Sequence, residues 1–397
     1  MYIAVRTRRA ALLVAGIGLA VFPSAVLAQS QVTEETIDQA ETARSPEMSE
    51  AEKDPAPMAG KSDMIIAPIP ISTPSLGGGL AVFGVLYYNP NGGPKAWSSG
   101  GGAGYTSSGT WFAGGFHEMS LADDRIRFKA VGGFASINSD FYGIGADAGS
   151  AGISVKLHNN AAGGYVDLQT RPFKKGFLSH VLVGGRISYL DLTASIDLPN
   201  DQLPDFVPDT IEQRTQTFKI GPSFTFDTRN DSNNPSKGVL VEGTYLFSTG
   251  WLGGDYDHRR FDLAANGYFK VGESSVLAIR RQACIASGST PYFDLCQFGS
   301  GADLRGYEAG RYRDRATWAI QAEWRRHLKG KFGMAAFFGV GGIAASGGDV
   351  LKHSKVLVAG GIGARYLASK EANVNLRVDV AYGKDGAAFY VGIGEAF

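Results

Sequence analysis

The chain has 397 residues, 54 of them Gly, and its 38 Lys+Arg balance 38 Asp+Glu at a formal net charge of zero. That balance argues against a basic nucleic-acid binder, and an aromatic content of 11% argues against a disordered chain. Gly at about twice its usual ~7% share disfavours a helical bundle, where each interior Gly costs ~1 kcal/mol.

The first 28 residues read as a secretory signal peptide. Arg6, Arg8 and Arg9 supply the positive start, Ala10 to Val21 the apolar core, and Val26-Leu27-Ala28 the small-residue cleavage site. An N-terminal membrane anchor is the alternative, but the core is short and stops at Pro23-Ser24. No Cys follows the cleavage point, which excludes a lipid-anchored form. Residues 29–63 hold nine acids, three bases and no aromatic, the composition of a disordered acidic periplasmic tether. They fall short of the ~50 residues of a small domain. Beyond residue 28 no apolar run reaches the ~20 residues of a membrane-crossing helix.

From residue 64 the side chains alternate with a period of two. Phe218, Ile220, Phe224 and Phe226 alternate with Thr217, Lys219, Ser223, Thr225 and Asp227. Trp318, Ile320 and Trp324 alternate with Thr317, Gln321, Glu323 and Arg325. Val374, Leu376, Val378, Val380 and Tyr382 alternate with Asn375, Arg377, Asp379 and Ala381. Such patterning belongs to strands with one apolar and one polar face. The spans are 64–71, 77–89, 97–107, 109–119, 124–136, 153–171, 177–192, 214–227, 237–250, 256–270, 273–287, 315–328, 331–345, 352–368, 372–383 and 386–397. Many exceed the ~5–6 residues of a soluble strand and match the ~9–11 that cross a membrane. The polar faces carry Lys, Arg, Asp and Glu, as a wet lumen requires. The expected fold is therefore all-β, a 16-stranded antiparallel transmembrane β-barrel of the bacterial outer membrane spanning 64–397. With both ends periplasmic, the long connections 192–213 and 288–314 fall outside. Trp97, Trp111, Trp251, Trp318 and Trp324 are candidates for the interfacial girdle or the lipid face.

Cys284 and Cys296 are the two cysteines, twelve residues apart in or beside the second long loop. In an exported chain this spacing reads as a disulfide.

Four features together resemble the outer-membrane assembly-factor superfamily, the BamA/TamA-type barrel also called the bacterial surface-antigen domain. The first is Leu304-Arg305-Gly306-Tyr307 in the loop between the eleventh and twelfth strands, where that family keeps Val-Arg-Gly-Phe/Tyr. The second is Asp227, Arg229, Asp231, Pro235 and Gly238, like the family's Asp-x-Arg-x-Asp…Pro-x-x-Gly periplasmic turn. The third is Glu323 on the twelfth strand, and the fourth is the closing Gly394-Glu395-Ala396-Phe397. One position departs from the pattern: Gly339 stands where the family's thirteenth strand usually carries an Asp. Residues 29–63 are too few for a POTRA repeat, so the chain resembles the subgroup lacking an N-terminal domain.

The resemblance implies protein or lipid insertion into, or transport across, the outer membrane. It implies a lumenal loop locked by Arg305 against Glu323, with Gly306 giving backbone freedom and Tyr307 packing the tip. Pro68 and Pro70 remove donors from one edge of the first strand, which points to a weak seam against the last strand and its terminal Phe397. The alternative is that both prolines precede the strand proper. The partners expected are outer-membrane lipids and a separate periplasmic protein or client polypeptide, with the barrel itself a monomer. No nucleophile elbow, phosphate loop or His ligand pair is present, so no enzyme activity, metal or cofactor is expected. The competing reading is a passive, porin-like channel for small solutes.

Overall fold

Alternation becomes architecture in the computed structural model, which describes residues 62–73, 76–93, 95, 97–197, 210–231, 233–299, 303–350, 352–369 and 373–397. The expected signal peptide, the tether up to residue 61 and most of the 192–213 connection lie outside the described residues. The chain forms β1 (Ser62–Thr73), β2 (Gly77–Tyr88), β3 (Trp97–Thr106), β4 (Trp111–Leu121), β5 (Ile126–Phe141), a short helix α1 (Ala146–Ala151), β6 (Val155–Thr170), β7 (Val181–Asp197), β8 (Thr210–Asp227), β9 (Gly238–Ser248), β10 (His258–Val271) and β11 (Ser275–Gly288). A two-residue ladder, β12 (Cys296–Gln297) with β13 (Arg313–Asp314), lies inside the next loop. Then come β14 (Ala316–His327), β15 (Phe332–Ala344), β16 (Lys355–Ser369), β17 (Val374–Gly383) and β18 (Gly386–Ile393).

Sixteen of these strands pair antiparallel, each with its sequence neighbour, in one sheet from β1 to β18. β1 and β18 lie side by side, and this closes the sheet nearly into a barrel. An even strand count puts both ends on one side, with the short turns 272–274 and 328–331. Short turns mark the periplasmic end of such barrels. On β17, Leu376, Val378, Val380 and Tyr382 are exposed outward while Arg377, Asp379 and Ala381 are buried inward.

The structure departs from the sequence reading at four places. The strand expected at 177–192 begins at Val181, because 177–180 form a 3-10 turn. The strand expected at 124–136 runs on to Phe141. The last strand ends at Ile393, because Gly394 has φ +82° and breaks the extended run before Phe397. The lumen face is also not uniformly polar. Ile69, Ile71, Phe83, Val85, Phe112 and Phe116 are buried on the inward face of β1, β2 and β4. The rings of Phe83, Phe112 and Phe116 lie on inward glycines of β3, where a Cβ at Gly104 would meet Phe112 at 2.4 Å. Charged pairs gather on other parts of the wall, on β6 to β10 and on β14 to β17.

Candidate functional site

The described parts of the connection between β11 and β14, residues 289–299 and 303–315, fold into the barrel rather than away from it. Leu304, Arg305, Phe298, Tyr307 and Tyr312 are all at most 1% exposed. A loop buried this deeply must have its polar groups satisfied by the wall.

Arg305 supplies most of those contacts. One guanidinium nitrogen donates to Glu323 Oε2 on β14, and the other donates to Asp379 Oδ2 on β17 at 2.6 Å. Its Cζ lies 3.5 Å from the centroid of the Phe337 ring, a cation–π contact that adds to the two charged bonds. The Arg305 N–H and Nε both reach Gln321 Oε1, at 3.4 and 3.5 Å. The expected pair of Arg305 and Glu323 is therefore brought together, and a second carboxylate joins it.

The neighbouring motif residues seat the loop tip. Gly306 has φ +119°, a conformation that L side chains rarely adopt, and its N–H donates to Tyr390 Oη at 2.9 Å. Tyr307 Oη donates to the Val358 carbonyl at 2.7 Å, and its ring meets Tyr312 edge-on at 5.4 Å. Leu304 packs over Gly339 and is fully buried.

Sequence reasoning missed how far the charges extend. Asp379 also accepts from Arg365 at 2.5 Å, and Glu323 accepts from Arg325 at 2.7 Å. Glu395 accepts from Arg365 at 2.8 Å and from Asn375 at 2.7 Å. Arg325 donates onward to the main-chain oxygen of Phe397 at 2.7 Å, which holds Phe397 against β14. Inward parity gave a signal for Arg377 and Asp379. The partnerships between distant strands left none.

The same loop has a second anchor. Cys284 of β11 and Cys296 form a disulfide, and nearby Asp294 is buried among a lysine, an arginine and a histidine. Lys219 of β8 donates to its two oxygens at 2.7 and 2.9 Å, and His258 Nε2 of β10 lies 2.5 Å away. Arg260 of β10 adds a contact at 3.6 Å. Burial pushes the Asp294 carboxyl up, but Lys219, His258 and Arg260 outweigh it and hold the group well below the usual carboxylate range.

Over the outer mouth, α1 and the β17–β18 turn close on the loop. Arg311 donates to the Gly149 carbonyl at 3.1 Å and pairs with Asp385 at 3.1 Å. Tyr142 donates to Glu308 at 2.7 Å, and burial pushes the Glu308 carboxyl up. Burial also pulls the Arg313 guanidinium down to about 9.

The periplasmic turn motif forms a folded unit. Arg229 makes a two-pronged contact with Asp227, with both bonds at 3.0 Å. Asp231 accepts the N–H groups of Asn233 and Asn234 at 2.7 and 2.9 Å. It also accepts from Asn373 in the β16–β17 turn at 3.1 Å. Pro235 is buried, and a Cβ at Gly238 would sit 2.2 Å from the Thr228 carbonyl.

At the seam, the β1–β2 ladder runs unbroken through Pro68 and Pro70. It can do so only if their missing donors face away from β2, toward β18. Among the described residues no backbone ladder joins β1 to β18. A side-chain bond from Ser72 Oγ to the Phe389 carbonyl at 3.4 Å spans the gap.

Comparisons with known proteins agree with this geometry. No curated protein matches the chain significantly. Among solved structures it is similar to BamA from Haemophilus ducreyi lacking POTRA domains 1–3, at TM-score 0.55 and 11% identity, over 84% of this chain and 70% of that one. It is similar to CdiB from Acinetobacter baumannii at TM-score 0.53 and 12% identity, over 84% of this chain and 65% of that one. CdiB from Escherichia coli follows at TM-score 0.52 and 13% identity, over 83% and 62%. The chain thus spans a little under two thirds of the length of the two CdiB proteins. These likenesses show the shared barrel fold. The Omp85 superfamily domain matches residues 95–397. With that match over most of its length, the chain belongs to the Omp85 superfamily, barrels of the Gram-negative outer membrane.

Proposed function

We propose that this protein inserts polypeptide or lipid into the outer membrane, or passes it across, through a barrel whose resting lumen is occupied by the 289–315 loop. The observation that carries the reading is Arg305, fully buried between carboxylates from β14 and β17. A buried guanidinium with two charged partners is directional and costs about 3–5 kcal/mol to break from one side. A passive pore has no use for such a contact, since it keeps the lumen blocked. The junction of β1 and β18 is the place where the wall parts, and the donor-poor edge left by Pro68 and Pro70 supports that assignment. A client polypeptide, or a separate periplasmic protein that delivers it, is the partner this mechanism needs.

Single-channel conductance in planar bilayers tests the reading. The wild-type barrel is expected to be silent or to flicker, and Arg305→Ala to conduct steadily. Equal, steady conductance in both would make the protein a passive channel and overturn the proposal.

A further inference from the structure

The outer face of the barrel carries an arrangement that the loop contact does not use. At the periplasmic end of β14, outward positions run Trp324, Arg326 and then Leu328. On β15 they begin at Phe332, which pairs with Tyr366 of β16. Outward is the lipid side, because Ile320 and Phe338 on the same parities are exposed.

Aromatic platforms carry two of the cations here. The Arg326 guanidinium lies 5.9 Å from the Trp324 ring centroid, and Lys331 Nζ lies 5.6 Å from that of Tyr366. The Phe332 and Tyr366 rings meet edge-on at 5.5 Å. Lys329 stands exposed at the tip of the hairpin. None of the three cations pairs with a carboxylate among the described residues.

Three unneutralised cations, two of them over rings, at the end of membrane-crossing strands match the level of lipid headgroups. Side chains of this kind place apolar stems against the membrane and charged ends among the headgroups. We propose that the 324–332 hairpin, with Tyr366, binds the phosphate of anionic phospholipids in the periplasmic leaflet. Arg326, Lys329 and Lys331 take the headgroup, and Trp324, Phe332 and Tyr366 meet the glycerol and upper acyl chain. This rests on the outer-membrane barrel fold and not on the loop mechanism.

The chain's own residues 29–61, with eight acids against three bases, are the rival occupant. They contain no aromatic and little large apolar surface, so they match the cations but leave the rings uncovered. A lipid satisfies both.

The test titrates the full-length barrel in detergent with phosphatidylglycerol and with phosphatidylcholine, counting bound lipids by native mass spectrometry. The triple variant Arg326→Gln, Lys329→Gln, Lys331→Gln is expected to weaken phosphatidylglycerol binding roughly 10-fold or more, with phosphatidylcholine changing by about two-fold at most. Arg326→Gln alone, which removes one charge, is expected to lie between wild type and the triple variant. Lys237→Gln, an exposed cation of the β8–β9 turn, is expected to leave the preference intact. An undiminished preference in the triple variant overturns the site. So does an equal loss in Lys237→Gln, which would mean diffuse charge. A preference that appears only after residues 29–61 are deleted would assign the hairpin to that acidic segment and overturn the lipid.

Discussion

Leu304 occupies the space that a side chain at position 339 would need. A Cβ built on Gly339 lies 2.7 Å from Leu304 Cδ1 and 3.2 Å from the Ile320 carbonyl. A side chain at this position would have to displace Leu304, and the carboxylate that joins Glu323 on Arg305 comes from Asp379. Gly339→Ala is therefore expected to cost about 1–3 kcal/mol through overpacking. Gly339→Asp should cost more and should displace the loop. Thermal unfolding of the refolded barrel gives the first quantity, and conductance reports the second. A Gly339→Asp barrel as stable and as silent as wild type would contradict this packing.

Arg305 has two carboxylate partners on different strands, so their contributions are separable. Asp379→Asn and Glu323→Gln are each expected to destabilise the loop by about 3–5 kcal/mol, because each leaves buried guanidinium charge less compensated. A double-mutant cycle between Arg305→Ala and Asp379→Asn should return a coupling of roughly 1–3 kcal/mol. A coupling near zero would mean that Asp379 serves Arg365 alone.

Reduction should loosen one end of the loop and spare the other. The Cys284–Cys296 bridge closes a short segment, and such a closure is worth about 3 kcal/mol in the chain-entropy account. Cys284→Ala with Cys296→Ala is expected to raise protease sensitivity at 289–299. Arg305 should stay buried, because its contacts lie on β14 and β17. Equal exposure of both halves would show that the loop moves as one unit.

Acid should release the Asp294 anchor only at low pH. Its carboxyl is held below the ordinary range, so its contribution is complete above the unfolded value of ~3.9 and is lost as pH falls through the lower folded value. The protection factors of residues 289–299, corrected for the intrinsic pH dependence of amide exchange, should therefore be steady from about pH 8 to pH 5 and fall below about pH 4. Protection lost already between about pH 6 and 7 would contradict this assignment to Asp294.

Restoring donors should tighten the seam. Pro68→Ala with Pro70→Ala returns two N–H groups to the edge that faces β18. The variant is expected to slow amide exchange along 386–393 and to raise thermal stability by about 1 kcal/mol. Unchanged exchange would mean that β18 is too far away for a ladder whatever β1 offers.

Much of the fold was legible because its signal is local. Alternation along one strand, as in Val374 to Tyr382, needs no knowledge of any other strand, and it gave all sixteen barrel strands to within a few residues. The Arg305 motif and Glu323 were legible through family resemblance and inward parity. Asp379 and Glu395 were visible as an inward and a closing residue, but not as partners, and Arg365 was not singled out at all. Their pairing depends on how strands dozens of residues apart curve toward one point. The Asp294 anchor was hidden for the same reason, since Lys219 lies 75 residues away in sequence. The apolar inner wall of β1 to β5 was obscured differently. There both faces are apolar, and alternation cannot tell lumen from lipid.

That inner wall has a mechanical consequence. Every ion pair of the Arg305 network joins the loop, β14, β16, β17 and the segment after β18. None of these pairs crosses to β1 or β2, where Ile69, Ile71, Phe83 and Val85 are buried on the inward face. Drawing β1 away from β18 would therefore break none of these ion pairs and incur none of the electrostatic work that rupturing them would demand. The Arg305 network thus fastens the loop on one side of the β1–β18 junction and holds nothing on the other.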